Sequence, residues 1–515
     1  MFGGHSAAQY FGAEGTINTS IAVDPDLPII STGVRTSGFA VPVGYAVFSG
    51  ANVTTPVIRL LTNPKNTLIY AVTTGGRLIS YTSSFASETV VGTVTGSTAS
   101  WAEYYNNYIY IFGTGASAND VSRYGPLNNS PSLTNGVWTG ATLGSLTALT
   151  NTTYPTLRSV SMPNHHACVH GDNSLYFLDF INGQGMVHRI NTRKVTDEGD
   201  TNGSTVPSAY NALDLPFGFY PTSVCSKGTS LLITGIYTTD TTVNQGSSAF
   251  VLWDPTDTVS FYLGPVPLPD PLVTASKNVG GITYIWTGNA VNGVRLSKYL
   301  EGESVQEVCY QEEGLPPLAG AVDALGNRVV WGGFSTNPAT GAVVYAYGSK
   351  DARLPKGLHN IAKTSSSGAN PLVTALKYIQ QNSNITPKIV PAWKNDSTQG
   401  IDQYSTTATL ASVVRFMINV GQKHEYKSIK VPLAGAVDSN TTITPKVYLD
   451  DLSSSTTLDT INNTNYPSAR NVVFDGTQLK NTTAENNSLL EFAWTGTNPL
   501  PIGFPITISL DLKDE

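Results

Sequence analysis

The stretch His165-His166-Ala167-Cys168-Val169-His170 holds the densest set of metal-ligating side chains in the chain. On a β-strand side chains alternate between faces, so His166, Cys168 and His170 share one side. Nitrogen and sulfur donors of this kind, with His188 as the nearest further candidate, are the ligand types of a Zn²⁺ site. Ligands at i, i+2 and i+4 lie about 7 Å apart on a flat strand, however, and no second Cys/His cluster is near in sequence. A hydrogen-bonded inner strand is the better reading. Carboxylate pairs for glycoside hydrolysis must face each other about 5 to 9 Å apart across a cleft. Asp179, Glu312-Glu313 and Asp450-Asp451 are available, but adjacent carboxylates on a strand point to opposite faces and read better as solvated turns and edges. Asp450-Asp451 could hold a cation with Asp459 or Asn440; a charged strand end is the simpler reading. The chain has no Gly-x-Ser-x-Gly, no phosphate-cradling loop before a helix and no His-Glu-x-x-His. No catalytic, cofactor-binding or metal residue is assigned, and no cofactor is expected.

Asp323-x-x-Gly326, with Trp331 following, is similar to the Asp-box turn of sialidase-like propellers. There the aspartate caps its hairpin by accepting backbone N–H bonds, a structural role. Aromatic residues are abundant, among them Tyr104-Tyr105, Tyr108, Tyr110, Trp138, Phe217, Phe219, Tyr220 and Trp253. Most are expected to pack between sheets. A few in the inserted loops 128–154 and 196–220 could contact a sugar or a protein.

These residues must be positioned by a repeated hairpin. In Thr67 to Tyr81 (TLIYAVTTGGRLISY) two short apolar runs flank Gly75-Gly76. That pattern predicts two antiparallel strands joined by a tight turn. Five more pairs follow: Tyr108–Phe112 with Val121–Tyr124, Leu175–Phe180 with Met186–Ile190, Leu231–Tyr237 with Phe250–Trp253, Ile282–Trp286 with Val294–Tyr299, and Val329–Gly332 with Val343–Tyr347. Their leading strands start roughly 40 to 67 residues apart, compatible with β-propeller blades carrying inserted loops. The expectation is an all-β chain: a six- or seven-bladed β-propeller over 51–350, then a linker over 351–370 and a β-sandwich over 371–515, whose first two strands could instead belong to the last blade or to a bridge between the domains. A seventh blade could use the N-terminal region or the stretch 130–165. Residues 1–50 read as an arm that either lends a strand to the last blade or contacts a neighbouring subunit.

Only 13% of the 515 residues are charged and the net charge is −7, with no Lys/Arg run. Binding of nucleic acid through phosphate neutralisation is not expected. No run approaches about 18 apolar residues, so no membrane-spanning helix is expected. The N-terminus lacks the basic and apolar regions of a signal peptide. Cys168, Cys225 and Cys309 are too scattered for a disulfide framework and read as small buried residues.

Several phrases carry a resemblance. They are Lys423-His424-Glu425-Tyr426-Lys427-Ser428-Ile429-Lys430-Val431-Pro432-Leu433, Ile443-Thr444-Pro445-Lys446-Val447 with Asp450-Asp451, Ile461-Asn462-Asn463-Thr464-Asn465-Tyr466-Pro467, and Leu490-Glu491-Phe492-Ala493-Trp494-Thr495-Gly496. Earlier in the chain come Tyr105-Asn106-Asn107-Tyr108-Ile109-Tyr110-Ile111-Phe112, Ser122-Arg123-Tyr124-Gly125-Pro126-Leu127 and Leu215-Pro216-Phe217-Gly218-Phe219-Tyr220-Pro221. Together they resemble propeller-bearing structural proteins of tailed bacteriophages. The resemblance implies a non-enzymatic virion component of the tail, assembled in the host cytoplasm: a ring or nozzle subunit, or an adaptor for other tail proteins. It implies a homo-oligomeric ring and carries no catalytic residues. Two alternatives are a propeller that binds a host-surface glycan and a glycan-degrading tailspike-type enzyme.

Overall fold

The computed structural model describes short N-terminal strands between 17 and 48, most of 52–127 and most of 165–513, with internal gaps that include 191–208. Residues 128–164 fall outside it. So do the expected insertion at 128–154, much of that at 196–220, and Trp138, Glu312, Glu313 and Asp451.

The chain is all-β. Among the described residues the only helical element is a 3₁₀ turn at Ala319–Ala321, and no helix is long and apolar enough to cross a membrane. From Val57 to Tyr404 the strands form seven antiparallel sheets, in each of which sequence neighbours pair. The first sheet is Val57–Thr62, Leu68–Thr73, Arg77–Thr82 and Glu88–Thr93. The leading strands of the next five are Thr98–Tyr105, Ala167–Val169, Phe219–Lys227, Leu272–Val279 and Val322–Leu325. All six hairpins expected from sequence pair in register, and each forms the second and third strands of its sheet. The first turn closes as its glycines require: Gly76 has φ 77°, and its N–H donates to the Thr73 carbonyl at 2.9 Å.

The seventh sheet joins distant parts of the chain. Leu372–Ile379, Lys388–Lys394 and Gln399–Tyr404 are followed in space by Tyr45–Phe48. Phe48 lies opposite Ile401, and Tyr45 opposite Tyr404. The division of strands therefore differs from that drawn on sequence. Gly357–Lys363, inside the expected linker, is the fourth strand of the sixth sheet. Residues 372–404 go with the repeated sheets and not with the C-terminal unit.

The seven leading strands touch in sequence order, and the last, Leu372–Ile379, touches the first, Val57–Thr62. From the second sheet to the sixth, each buries aromatic side chains against the next. Phe112 meets Phe177 with ring centroids 4.8 Å apart, Tyr176 meets Trp253 at 5.7 Å, Phe250 meets Tyr299 at 5.0 Å and Trp286 meets Trp331 at 5.7 Å. Pairs of this kind add about 1 kcal/mol each to the burial of their surfaces. Of the aromatic residues singled out in the sequence, Trp253 packs between sheets in this way and Tyr105, Tyr110, Phe219 and Tyr220 are buried, whereas Phe217 is exposed. The same bulge recurs where leading strands pair with second strands, at Val57/Arg59, Ala99/Trp101, Pro221/Ser223, Val273/Ala275 and Val373/Ala375. A bulge bends and twists its strand locally, and its recurrence marks the sheets as copies of one unit.

The C-terminal strands form two further sheets over one core. One runs Ile17–Ile21, Ser412–Asn419, Asn487–Trp494, Thr442–Leu449, Ser455–Thr457. The other centres on His424–Pro432, flanked by Asn471–Phe474, Thr483–Ala484 and Thr507–Leu512. Val414, Ile443, Leu490, Phe492 and Trp494 from the first meet Tyr426, Ile429, Val431, Val472 and Phe474 from the second. Gly38–Phe39 pairs with Ile502–Gly503. The N-terminal segment therefore pairs with the C-terminal unit at Ile17–Ile21 and Gly38–Phe39, and with the seventh sheet at Tyr45–Phe48.

The 3₁₀ turn sits where the leading strands come closest, touching the first, fifth and seventh of them. A Cβ added to Gly320 would lie 2.1 Å from the Ile58 carbonyl oxygen and 3.2 Å from that of Thr374. Backbone cannot move aside as a side-chain tip can. We expect Gly320→Ala to cost about 3 kcal/mol or to abolish folding. Gly476→Ala, where an added Cβ meets nothing within 4 Å, should melt as the wild type does. Thermal denaturation of the two variants checks the contrast.

Candidate functional site

The leading strands enclose a cavity of about 320 Å³. Its lining includes Arg59 from the first sheet, Glu103 from the second, His166 and Cys168 from the third, Cys225 from the fourth and Lys277 from the fifth. At the start of the sixth sheet stands Asp323, which binds Lys277 and, on the seventh, Lys377. Side chains alternate along each leading strand, so one set faces this space while the other packs into the sheets.

The polar groups are arranged in two clusters. Arg59 Nη2 donates to Glu103 Oε2 at 2.8 Å, and its guanidinium lies 4.4 Å from the centre of the Trp101 ring. His166 lies against the same Trp101, with centroids 4.1 Å apart. His166 Nδ1 accepts the Val224 N–H at 3.2 Å. An imidazole that accepts at Nδ1 carries its proton on Nε2. Burial first, then the charges of Arg59 and Lys277, holds the His166 pKa well below the usual histidine range, so the ring is neutral at pH 7. In the second cluster, Lys277 Nζ is 3.4 Å from Asp323 Oδ1, and Lys377 Nζ is 3.5 Å from Oδ2. The Tyr378 N–H donates to Oδ2 at 2.8 Å. Burial would raise the Asp323 carboxyl, but the two lysines and the N–H groups of Tyr378 and Ala324 outweigh it and hold the pKa at about 2. Burial pushes the Cys225 thiol up to about 11 and raises that of Cys168 well above the usual value. Both are protonated and poorly nucleophilic.

The sequence candidates fall apart into separate roles. His166 and Cys168 face the cavity, while His170 Nδ1 is bonded to Ser226 Oγ at 2.9 Å. Among the described residues no group of three His, Cys, Asp or Glu side chains is placed to hold one metal ion. Asp323 does not act as its own hairpin's Asp-box. The turn there is made by Gly326 with φ 61°, and the carboxylate reaches the neighbouring sheets instead. Asp450 accepts the N–H of Glu485 at 2.9 Å and of Asn487 at 3.3 Å. Asp459 meets Gln478, and Asn440 belongs to a turn around Asp438. The three do not converge on a cation. Sequence reasoning missed Arg59, Glu103, Lys277 and Lys377. A charged residue inside five of the seven leading strands is the available signal.

Asp179 lies elsewhere, buried between His165 and His188. Their Nε2 atoms are 3.4 and 3.5 Å from its two oxygens. Burial raises this carboxyl, but the two imidazoles outweigh it and hold it at about 2. Ser100 Oγ is 2.7 Å from His165 Nδ1, which completes a Ser–His–Asp chain. The geometry opposes nucleophilic use. The Ser100 hydroxyl donates to the Phe112 carbonyl at 3.1 Å, so its proton is not held by the imidazole, and all three side chains are buried. A triad serine needs its proton on the histidine side and a substrate in reach. Here the chain ties the second sheet to the third.

The Asp323 carboxylate makes stability depend on acid. Its folded-state pKa of about 2 lies below the unfolded value near 3.8, so its contribution is fully present above about pH 4 and is lost as pH falls through 2. A tenfold difference in proton affinity between the folded and unfolded chain is worth about 1.4 kcal/mol, so the carboxylate contributes about 2 kcal/mol. Asp323→Asn should lose about that much at pH 7, and the gap to wild type should narrow between pH 4 and pH 2. Urea denaturation at several pH values measures both.

No family model and no curated relative matches the chain. Several solved structures are similar at low identity. The extracellular domain of a protein described as a hybrid two-component system, from B. thetaiotaomicron, is 13% identical over 78% of this chain, with TM-score 0.42. The match spans 45% of that structure's length. A protein described as a 6-phosphogluconolactonase, from Bacteroides uniformis, is 11% identical over 65% of this chain and 93% of its own, with TM-score 0.41. A β-propeller domain from Myceliophteria thermophila is 10% identical over 70% of this chain and 100% of its own, with TM-score 0.40.

Proposed function

We propose that the seven repeated sheets are the blades of one β-propeller, that residues 412–512 form a β-sandwich, and that the protein is a non-enzymatic structural subunit of a tailed-phage virion. In this reading it is a tail ring, nozzle or adaptor that joins protein partners, made in the host cytoplasm and built into the particle. The leading strands supply the support for the propeller, because they touch in order and the seventh touches the first. The observation that carries the structural role is the N-terminal segment. Its strands pair with both the C-terminal unit and the seventh sheet, so the two units are stitched together by backbone hydrogen bonds and not merely tethered. The phrases that resemble those of phage tail proteins supply the setting.

A second reading, recognition of a host-surface glycan, is favoured by one residue. Phe217 is 76% exposed. It lies over Gly183, where an added Cβ would be 2.9 Å from its ring. An aromatic face held open to solvent in this way is the kind of surface on which a sugar stacks.

Electron microscopy of the purified protein, with its mass measured on the same sample, tests the assembly. Closed rings of uniform copy number, or co-purification with particle proteins, are expected. Dispersed monomers that bind no particle protein would remove the structural role. Saturable retention of a glycan without product would move the weight to the second reading, and release of reducing ends would replace both by an enzyme. Removing residues 1–35 deletes the edge strand Ile17–Ile21 from the C-terminal sheet. We expect the truncated chain to assemble less well. Unchanged oligomerisation would show that the arm is no part of the subunit contact.

A further inference from the structure

The cavity between the leading strands is charged unevenly. Arg59, Glu103 and Lys277 line it, and behind Lys277 the Asp323 carboxylate is shared with Lys377, so three cations meet two carboxylates and one positive charge is left over. His166 is neutral and the two cysteines are protonated, so neither offsets it. A surplus charge partly shielded from bulk water favours a counter-charge beside it. Donors are also left over. Arg59 uses Nη2 on Glu103, but its Nε–H is enclosed and meets no acceptor. His166 is nine-tenths buried, is pinned through Nδ1 and turns Nε2–H to no acceptor among the described residues. Lys277 keeps two ammonium protons beyond its contact with Asp323, and its side chain is 32% exposed against 15% for Arg59. Solvent therefore reaches the lysine side more readily than the arginine side.

The rest of the wall is uncharged. Ala167, Val169, Val224, Ala319 and Val322 line it beside the two thiols, and Ser226, Ser276 and Asn278 add polar groups. A volume of about 320 Å³ exceeds what a bare oxyanion needs and falls at the small end of ligand pockets.

We propose that this cavity binds a small organic anion, with one carboxylate or phosphate group on Arg59, His166 and Lys277 and a compact apolar body against the alanine, valine and thiol wall. Carboxylate and phosphate share the recognition chemistry, because each accepts several N–H bonds from cationic donors.

The probes are acetate and inorganic phosphate for the head group, benzoate and phenyl phosphate for head plus body, and glucose as the neutral control. They are titrated in low-chloride buffer against the full chain, with the thermal midpoint and calorimetric heat as readouts. At least one acid series should raise the midpoint saturably, with half-effect at about 1 mM for the bare head group. The aromatic member should bind at least about threefold tighter, since it buries apolar surface. Which series responds distinguishes carboxylate from phosphate, and glucose should do nothing.

Lys277→Met should weaken binding about tenfold, the loss of one charge-assisted contact. It leaves Lys377 on Asp323, so no carboxylate is orphaned. The double variant Arg59→Gln with Glu103→Gln removes the other cluster without leaving a charge behind and should act in the same direction. Ligand-free circular dichroism shows which variant is folded, and either one suffices to decide. Saturation by neither acid up to about 50 mM, some fifty times the expected constant, would overturn the proposal. So would an undiminished response in a folded variant, or equal affinity for the bare and aromatic members of a series.

Discussion

The crowding of the leading strands around one small space governs the rest of this structure. A four-stranded antiparallel sheet cannot cover both its faces, and each sheet here is covered by the sheets on either side. Such an arrangement tapers inward, so backbone atoms approach one another most closely at the leading strands. Gly320 shows how little room is left there, with the Ile58 and Thr374 carbonyls on either side of it. Gly332, on the second strand of the sixth sheet, is held as tightly against the seventh, where an added Cβ would run into the Val373 side chain. Further out, where the sheets diverge, the gaps are filled by the largest residues, Trp286 and Trp331 among them.

The same geometry explains which parts of the fold could be read from sequence. Second and third strands are legible because they are apolar on both faces and are joined by short turns, such as Gly75-Gly76, that need positive φ. First and fourth strands are not. The leading strands carry a bulge that breaks their alternation and a charged or polar residue where the cavity begins, as Arg59 does in VIRLLT. Fourth strands such as Glu88–Thr93 are half exposed and polar. Ser/Gly-rich flanks made 351–370 look like a linker although Gly357–Lys363 pairs along its length. The seventh sheet was hidden for a different reason. Its fourth strand lies more than 300 residues upstream of its third, and no local pattern reports a pairing of that span.

The cavity was less legible still, because its chemistry is contributed one residue at a time. Arg59, Glu103, Cys168, Cys225, Lys277, Asp323 and Lys377 come from seven different sheets. A search for clustered ligands passes over them and settles on His165 to His170, where neighbours in sequence turn out to serve different partners. The cysteines illustrate the loss. Counted along the chain they are three scattered thiols, yet Cys168 and Cys225 line one cavity from adjacent leading strands. Aligning the hairpins and comparing the residue that enters each one would have recovered this set.

The charged contacts around the cavity are better understood as devices of register than of stability. A buried ion pair often gains little over a well-packed apolar pair, because desolvation consumes most of the attraction. What such a pair does impose is a penalty on any arrangement that separates it. Arg59 and Glu103 lock the first sheet to the second, and Lys277, Asp323 and Lys377 lock the fifth, sixth and seventh. The third and fourth sheets are joined instead by the neutral bond from the Val224 N–H to His166 and by apolar packing. A slip of one residue along any charged leading strand would turn its ion into the apolar face of its own sheet. Repeated units of similar sequence are prone to pair out of order, and charges placed on five of the seven sheets, with matched neighbours, discriminate among otherwise equivalent partners. The positive charge left over by this pattern is then a by-product of register that a bound anion can use.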